Sequence, residues 1–336
     1  MFSIESLLIP AVLFFALGLF ARWVRSDLKF PDGMSKGLSI YLLMAIGLKG
    51  GAALADVELS KAFLSIFWAL VLGFAMPVIG YLILRWRDRI DRLNAAAIAA
   101  HYGSVSAATF LTAVAFLEAT GVEYETYPIV MMVVMEFPAI VVGLMIAAFA
   151  RKQIQAAGGA DCDSCNQVET NWKELMHEAL TNGYVILLLG SLLIGAVASP
   201  DAMEKVYPFS HEVFMGVLCL FLLDMGMEAG RRMGAFKSVG PVLLVFGVVM
   251  PLIGATVGIV VGHSILDFGV GGTLLVAILG ASASYIAVPP AMRFGVPEAN
   301  PSYYLTLSLG VTFPLNVVFG IPLYYAAAGW YIGLGG

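Results

Sequence analysis

Ten apolar runs of about 20 residues each leave this chain few ways to fold. They cover roughly 4–21, 35–55, 62–84, 94–117, 127–150, 179–198, 211–230, 239–262, 270–293 and 303–327. A bilayer core about 30 Å thick takes about 20 helical residues. In lipid, only helices and closed barrels satisfy their own backbone groups. Runs of this length therefore read as membrane-spanning helices. Composition agrees: 60% of residues are hydrophobic and 12% charged, against about 25% charged in soluble chains. The first run lacks a small-residue cleavage site, so it reads as a helix and not as a removed signal. The formal net charge of -5 gives no pointer to nucleic acid.

The one long polar stretch, 151–178, divides the chain into 1–150 and 179–336, with five runs in each part. The two parts repeat. Pro77 and Pro251 sit in Met-Pro-Val-Ile-Gly and Met-Pro-Leu-Ile-Gly, 174 residues apart. Gly47 and Gly226 are 179 apart, Phe137-Pro138 and Phe313-Pro314 are 176 apart, and Ser104 and Ser282 are 178 apart. Four matches in one order and at nearly one offset argue for duplication. Each unit holds an odd number of spans, so the second must be inverted relative to the first. The expected fold is thus ten helices in a 5+5 inverted repeat.

Lys and Arg placement gives the orientation. Fifteen of the 18 basic residues lie on one side. They are Arg22, Arg25, Lys29 and Lys36 after the first run, Arg85, Arg87, Arg89 and Arg92 after the third, and Arg151, Lys152 and Lys173 in the central stretch. Arg231, Arg232 and Lys237 follow the seventh run, and Arg293 the ninth. Lys61 and Lys205 lie opposite, and Lys49 falls within a span. The linker 151–178 is expected in the cytoplasm and both termini outside.

Two hydroxyl-rich segments interrupt the apolar pattern at corresponding places: His101 to Thr109, and Gly280 to Pro290. Small residues let helices approach closely, and Ser or Thr supplies polar atoms where lipid has none. Either segment alone fits plain helix packing as well as a binding site. Their pairing, and the Pro289-Pro290 that breaks the second helix, favour two broken helices crossing near the midplane at a transport site.

Polar residues at membrane depth are functional candidates, since each charge costs at least about 2.5–3.5 kcal/mol there. The inventory is Lys49, His101, Glu136, Asp224, Glu228 and Asn316. Lys49 and Glu228 occupy equivalent repeat positions with opposite charge; they could pair, or each could reach water at a span end. Glu136 precedes Phe137-Pro138, where proline frees a backbone carbonyl. That suits a hard cation such as sodium, and equally a structural carboxylate. His101 reads as a packed, helix-bonded histidine more than as a proton relay.

Enzyme chemistry finds no support. The chain has no Walker loop and no HExxH, no nucleophile elbow, and four histidines without metal-ligand spacing. Cys162 and Cys165 form a lone CxxC, a weak metal or redox signal. No organic cofactor is expected.

The segments Leu223 to Ala229, Ser282 to Pro290, Arg293 to Ser302, Ile46 to Gly51 and Glu136 to Ala139 together resemble the SbtA-type sodium-dependent bicarbonate transporters of cyanobacteria and other bacteria. The resemblance runs over nearly the whole chain. It implies a homotrimer in the bacterial inner membrane, with spans 1, 2, 6 and 7 as gate or scaffold and spans 3–5 and 8–10 as core. It also implies a PII-like cytoplasmic regulator of the SbtB type. By motif matching, the anion would meet Gly103, Ser104, Ser106, Thr109, Ser282, Ala283 and Ser284. Sodium would meet Glu136, Ser106, Thr109 and Ser284. The family pattern reads Ser-Ser-Ser-Asp-Ile-Ser-Gly before Pro-Pro. Here Tyr285 takes the acid's place, and Ala287 and Val288 replace the Ser and Gly.

The leading expectation is sodium-coupled bicarbonate import by alternating access. The alternatives are another small anion or monocarboxylate on the same fold, or a non-transporting membrane receptor for a cytoplasmic regulator.

Overall fold

The computed structural model describes residues 9–31, 33–54, 58–86, 89–156 and 183–335, and every regular element among them is helical. The first half contains α1 (Pro10–Trp23), α2 (Met34–Leu54), α3 (Leu59–Arg85), α4 (Arg92–Gly103), α5 (Ala107–Thr120) and α6 (Tyr127–Ala156). The second contains α7 (Gly183–Val197), α8 (Pro200–Tyr207), α9 (Phe214–Met233), the short α10 (Phe236–Val239) and α11 (Pro241–Val260). It ends with α12 (Val270–Ala281), α13 (Val288–Gly295) and α14, which runs over Pro301–Gly333.

Six helical runs are long and apolar enough to cross a membrane: Leu59–Arg85, Arg92–Thr120, Tyr127–Ile154, Pro200–Met233, Pro241–Ile265 and Pro301–Gly333. Three shorter apolar helices, Pro10–Trp23, Ile186–Val197 and Val270–Ala281, accompany them. The chain is a polytopic helical membrane protein. Its lipid-facing character shows in large apolar side chains left outside, such as Phe63 on α3 and Leu193 and Ile194 on α7.

Helix starts follow local chemistry. Pro10, Pro200 and Pro301 occupy first-turn positions, where the missing N–H removes nothing. Asp91 caps α4 by accepting from the Asn94 N–H at 2.9 Å. Gly121 closes α5 in the left-handed conformation.

The helices pack largely in pairs and triplets, and α9 also packs on the first widened turn of α14. α1 lies along α9, and α2 along α7. α3 packs with α4 and α6, and α11 with α12 and α14. Lipid provides no hydrophobic drive between helices, so close backbone approach at small residues does the work. Gly18 of α1 abuts Gly226 of α9, and Gly51 of α2 abuts Gly195 of α7; a Cβ at any of the four would meet the facing backbone.

Several expectations change. The linker read as beginning at Arg151 does not: α6 continues as helix to Ala156, and Arg151 is buried, not a free cytoplasmic charge. The rest of the linker, with Cys162 and Cys165, lies outside the described residues. α8, capped by Ser199 with Pro200 at its first turn, has no counterpart among the ten apolar runs because its eight residues are mostly polar or exposed. α14 is not a uniform helix; it widens into π-helical turns at Thr306–Thr312 and Asn316–Gly320.

Candidate functional site

Both hydroxyl-rich segments interrupt helices. α4 stops at Gly103, where Ser104 turns extended (φ -89°, ψ 174°), and α5 starts after Ser106. α12 stops at Ala281, where Ser282 adopts nearly the same conformation (φ -88°, ψ 166°), and α13 starts at Val288. The breaks cross and bond to each other. The Ser106 N–H donates to Ser282 Oγ at 3.0 Å, and the Ser284 N–H donates to the His101 carbonyl at 2.8 Å.

The orphan groups at these breaks are handled locally. Ser106 Oγ accepts from the Thr109 N–H at 3.3 Å and the Thr109 hydroxyl at 3.0 Å, capping α5. The Asn316 side-chain amide donates to the Ala281 carbonyl at 2.8 Å, and Tyr324 donates to Asn316 Oδ1 at 3.0 Å. The widened turns of α14 thus bring a buried amide to the end of α12. Such turns are frequent at functional sites.

A small cavity opens beside this crossing. α5 contributes Ser106 and Ala107, the second break Ser284 to Ala287, and α6 Met132, Val133 and Glu136. Leu43 of α2 and Leu188 of α7 close the far side. The cavity therefore lies between α2 and α7 on one side and the helix breaks and α6 on the other. The volume open to the centre of a water molecule is about 20 Å³, room for about one water.

Glu136 is the carboxylate on this lining. Its Oε2 is buried with no hydrogen-bond partner among the described residues. A buried charge without a partner is costly, and a bound cation relieves it. Pro138 follows within α6, so the Val134 carbonyl loses its usual N–H partner. Hard cations favour such oxygens. The first N–H groups of α5, on Ala107 and Ala108, have no intrahelical acceptor and point positive potential toward the cavity. α13 differs: Pro289 and Pro290 have no N–H. Of the two helix starts at the crossing, α5 therefore supplies more N–H donors.

Of the sequence-predicted residues, Ser106, Ser284 and Glu136 line the cavity together. Thr109 is spent on Ser106, and Ser282 on the Ser106 N–H and the Leu279 carbonyl. Ala283 is buried beside them. Gly103 is small because a Cβ there would run into the Pro77 ring of α3. Ser104 is buried, and its hydroxyl, like His101 Nε2, has no partner among the described residues. His101 Nδ1 lies 2.7 Å from the Ala97 carbonyl, and its ring stacks on Tyr304, a helix-bonded histidine. Tyr285, at the acid's place in the family pattern, joins the lining; its hydroxyl reaches Met225 Sδ at 3.5 Å. Leu43, Leu188, Met132 and Val133 carry no sequence signal, being apolar residues in apolar runs.

The Lys49–Glu228 pair does not form. Lys49 bridges to Glu118 of α5 at 2.8 Å and lies over the Phe214 ring. Glu228 binds Arg231 at 2.7 Å and Arg232 at 2.8 Å, its neighbours one helical turn on. Asp224 accepts from the Ser35 hydroxyl. Below the crossing, Arg151 grips Glu298 with two nitrogens, at 2.9 and 2.8 Å, and donates to the Gly295 carbonyl at 2.8 Å. α6 is thereby locked to the end of α13.

The sequence model of one family, described as the Na+-dependent bicarbonate transporter superfamily, matches residues 10–329. No curated protein matches the chain.

Proposed function

We propose a residue-level mechanism for a chain that belongs to the Na+-dependent bicarbonate transporter superfamily, as the match over residues 10–329 shows. Membership supports sodium-dependent bicarbonate transport in general. In our reading the protein is a secondary transporter that imports bicarbonate with sodium by alternating access. The observation that carries it is the convergence of Ser106, Ser284 and the unpartnered Glu136 on one cavity at two crossing helix breaks.

Bicarbonate has little apolar surface, so hydrogen bonds and dipoles must hold it. The N-terminus of α5 and the Ser106 and Ser284 hydroxyls supply them. Sodium binds at Glu136 with backbone carbonyl and hydroxyl oxygens. One negative charge entering against an inside-negative potential costs about 2.3 kcal/mol per 100 mV. A co-imported sodium cancels that term and adds its own gradient.

α1, α2, α7 and α9 serve as the scaffold and the remaining spans as the moving core. The cavity at their boundary, closed by Leu43 and Leu188, supports this division. The 5+5 inverted repeat gains support from packing. Gly18 with Gly226 and Gly195 with Gly51 are two contacts of one kind; 195 is 18 plus 177 and 226 is 51 plus 175, which favours Gly51 over Gly47 as the repeat counterpart of Gly226. A homotrimer in the bacterial inner membrane and a PII-like regulator remain part of this proposal on the strength of the resemblance, and a cytoplasmic linker on the placement of Lys and Arg.

The mostly apolar wall, with Leu43, Val133, Leu188 and Ile286, favours a small monocarboxylate as the second substrate reading. Labelled bicarbonate uptake into proteoliposomes, with and without an inward sodium gradient, tests the proposal. Sodium-stimulated uptake that unlabelled formate or acetate fails to displace is the expected result. Displacement by either at equal concentration selects the second reading.

A further inference from the structure

At the far end of α1 from its start, a groove of about 710 Å³ opens between α1 and α9. Arg22, Arg25 and Ser26 supply its polar side; Phe20, Trp23 and Met233 supply its apolar side. Neither arginine has an ion-pair partner among the described residues. Among the described residues, Glu228 is held by Arg231 and Arg232, and Asp27 is exposed but does not line the groove.

Two details indicate that the groove is built. Gly230 faces it, and a Cβ there would press on the Arg22 stem at 3.0 Å, so the missing side chain makes room for the arginine. Arg25 has φ +57°. A left-handed residue after a helix is normally glycine or asparagine; a bulkier residue there is strained and invites a functional reason. Arg22 and Arg25 both line the groove. Trp23 is 79% exposed, and amphipathic aromatic rings favour the membrane–water boundary.

We propose that this groove binds the headgroup of an anionic phospholipid, with Arg22 and Arg25 on the phosphate and one acyl chain along Phe20 and Met233. Guanidinium groups match phosphate oxygens in paired geometry. Basic pockets between membrane helices recognise acidic headgroups in this way. The mixed lining matches a molecule that is anionic at one end and apolar at the other. Free phosphate would leave the apolar side unused.

The test uses the purified full-length protein in detergent, with phosphatidylglycerol, phosphatidylcholine or inorganic phosphate added. Native mass spectrometry and thermal unfolding are the readouts. Phosphatidylglycerol should be retained in preference to phosphatidylcholine and should raise the melting temperature. Arg22→Gln combined with Arg25→Gly should weaken phosphatidylglycerol binding about 30-fold, each arginine contributing about fivefold. Lys205→Gln, at the opposite end of the molecule, should not change it. Arg25→Gly alone suits the backbone angle, so it should fold at least as well as the parent and still lose preference for the lipid. Equal retention of phosphatidylcholine, an equal shift with inorganic phosphate, or undiminished binding in the double variant would each overturn the proposal. So would loss of oligomer in the double variant with lipid binding intact, which would assign the groove to a second copy of the chain.

Discussion

The Ser284 N–H donates to the His101 carbonyl at 2.8 Å, tying the second helix break to the end of the first broken helix. With the reciprocal bond from the Ser106 N–H to Ser282 Oγ, it fixes both breaks as one unit. Two backbone N–H groups, one carbonyl and the Ser282 hydroxyl therefore hold the crossing, and the Ser284 hydroxyl takes no part in it.

The two cavity serines should separate on mutation. Ser284→Ala removes a hydroxyl that caps no helix, so melting temperature should stay near that of the parent. The half-saturating bicarbonate concentration should rise about 10- to 100-fold, the worth of a hydrogen bond to a charged group. Ser106→Ala also removes the α5 cap, so it should lose about 1 kcal/mol of stability as well. Uptake kinetics and thermal unfolding of both variants decide this; equal effects on stability would contradict it.

The helix approaches predict a packing failure that involves no ligand. Gly280 of α12 and Gly254 of α11 face each other so closely that a Cβ on either would meet the other's backbone. Gly254→Ala and Gly280→Ala should each cost about 1–3 kcal/mol through overpacking, read as a lowered melting temperature. Gly216→Ala on α9, where open space surrounds the position, should cost nothing measurable.

Much of this arrangement is legible in the sequence, and the reasons differ by feature. Serines and prolines recurring at nearly one offset mark the breaks, because hydroxyls and proline are rare inside apolar runs. The site's far wall is not legible. Leu43 and Leu188 look like any lipid-facing residue until α2 and α7 are brought together. The Lys49 partner also depends on tertiary placement: repeat symmetry suggested Glu228, but the end of α5 presents Glu118. A signal against Glu228 was available, since Arg231 and Arg232 follow it at helical spacing. Ser199-Pro200, a cap followed by a first-turn proline, likewise announces α8.

The Arg151–Glu298 pair should give the protein an acid-sensitive step. Burial pushes the Glu298 carboxyl up, but the hydrogen bonds and charge of Arg151, with a backbone bond, hold it below the usual carboxylate range. A group with a lowered folded pKa stabilises above its unfolded value, about 4.3, and loses that contribution as pH falls through the folded value. Melting temperature should therefore fall as pH drops below about 4.3, and the slope should flatten in Glu298→Gln. Arg151→Met at neutral pH leaves the carboxylate unpaired and should cost about 3 kcal/mol. An unchanged acid slope in Glu298→Gln would contradict this account.

If Glu136 couples sodium to the anion, the sodium dependence of uptake should follow its charge. Glu136→Gln keeps the size of the side chain and removes its charge. In proteoliposomes, labelled bicarbonate uptake by the parent should require sodium, and the variant should need at least about tenfold more sodium for half-maximal uptake, equivalent to about 1.4 kcal/mol of lost ion binding. Glu118→Gln, which breaks the bridge to Lys49 away from the cavity, should leave that concentration unchanged. The same half-maximal sodium concentration in the parent and in Glu136→Gln would contradict the assignment.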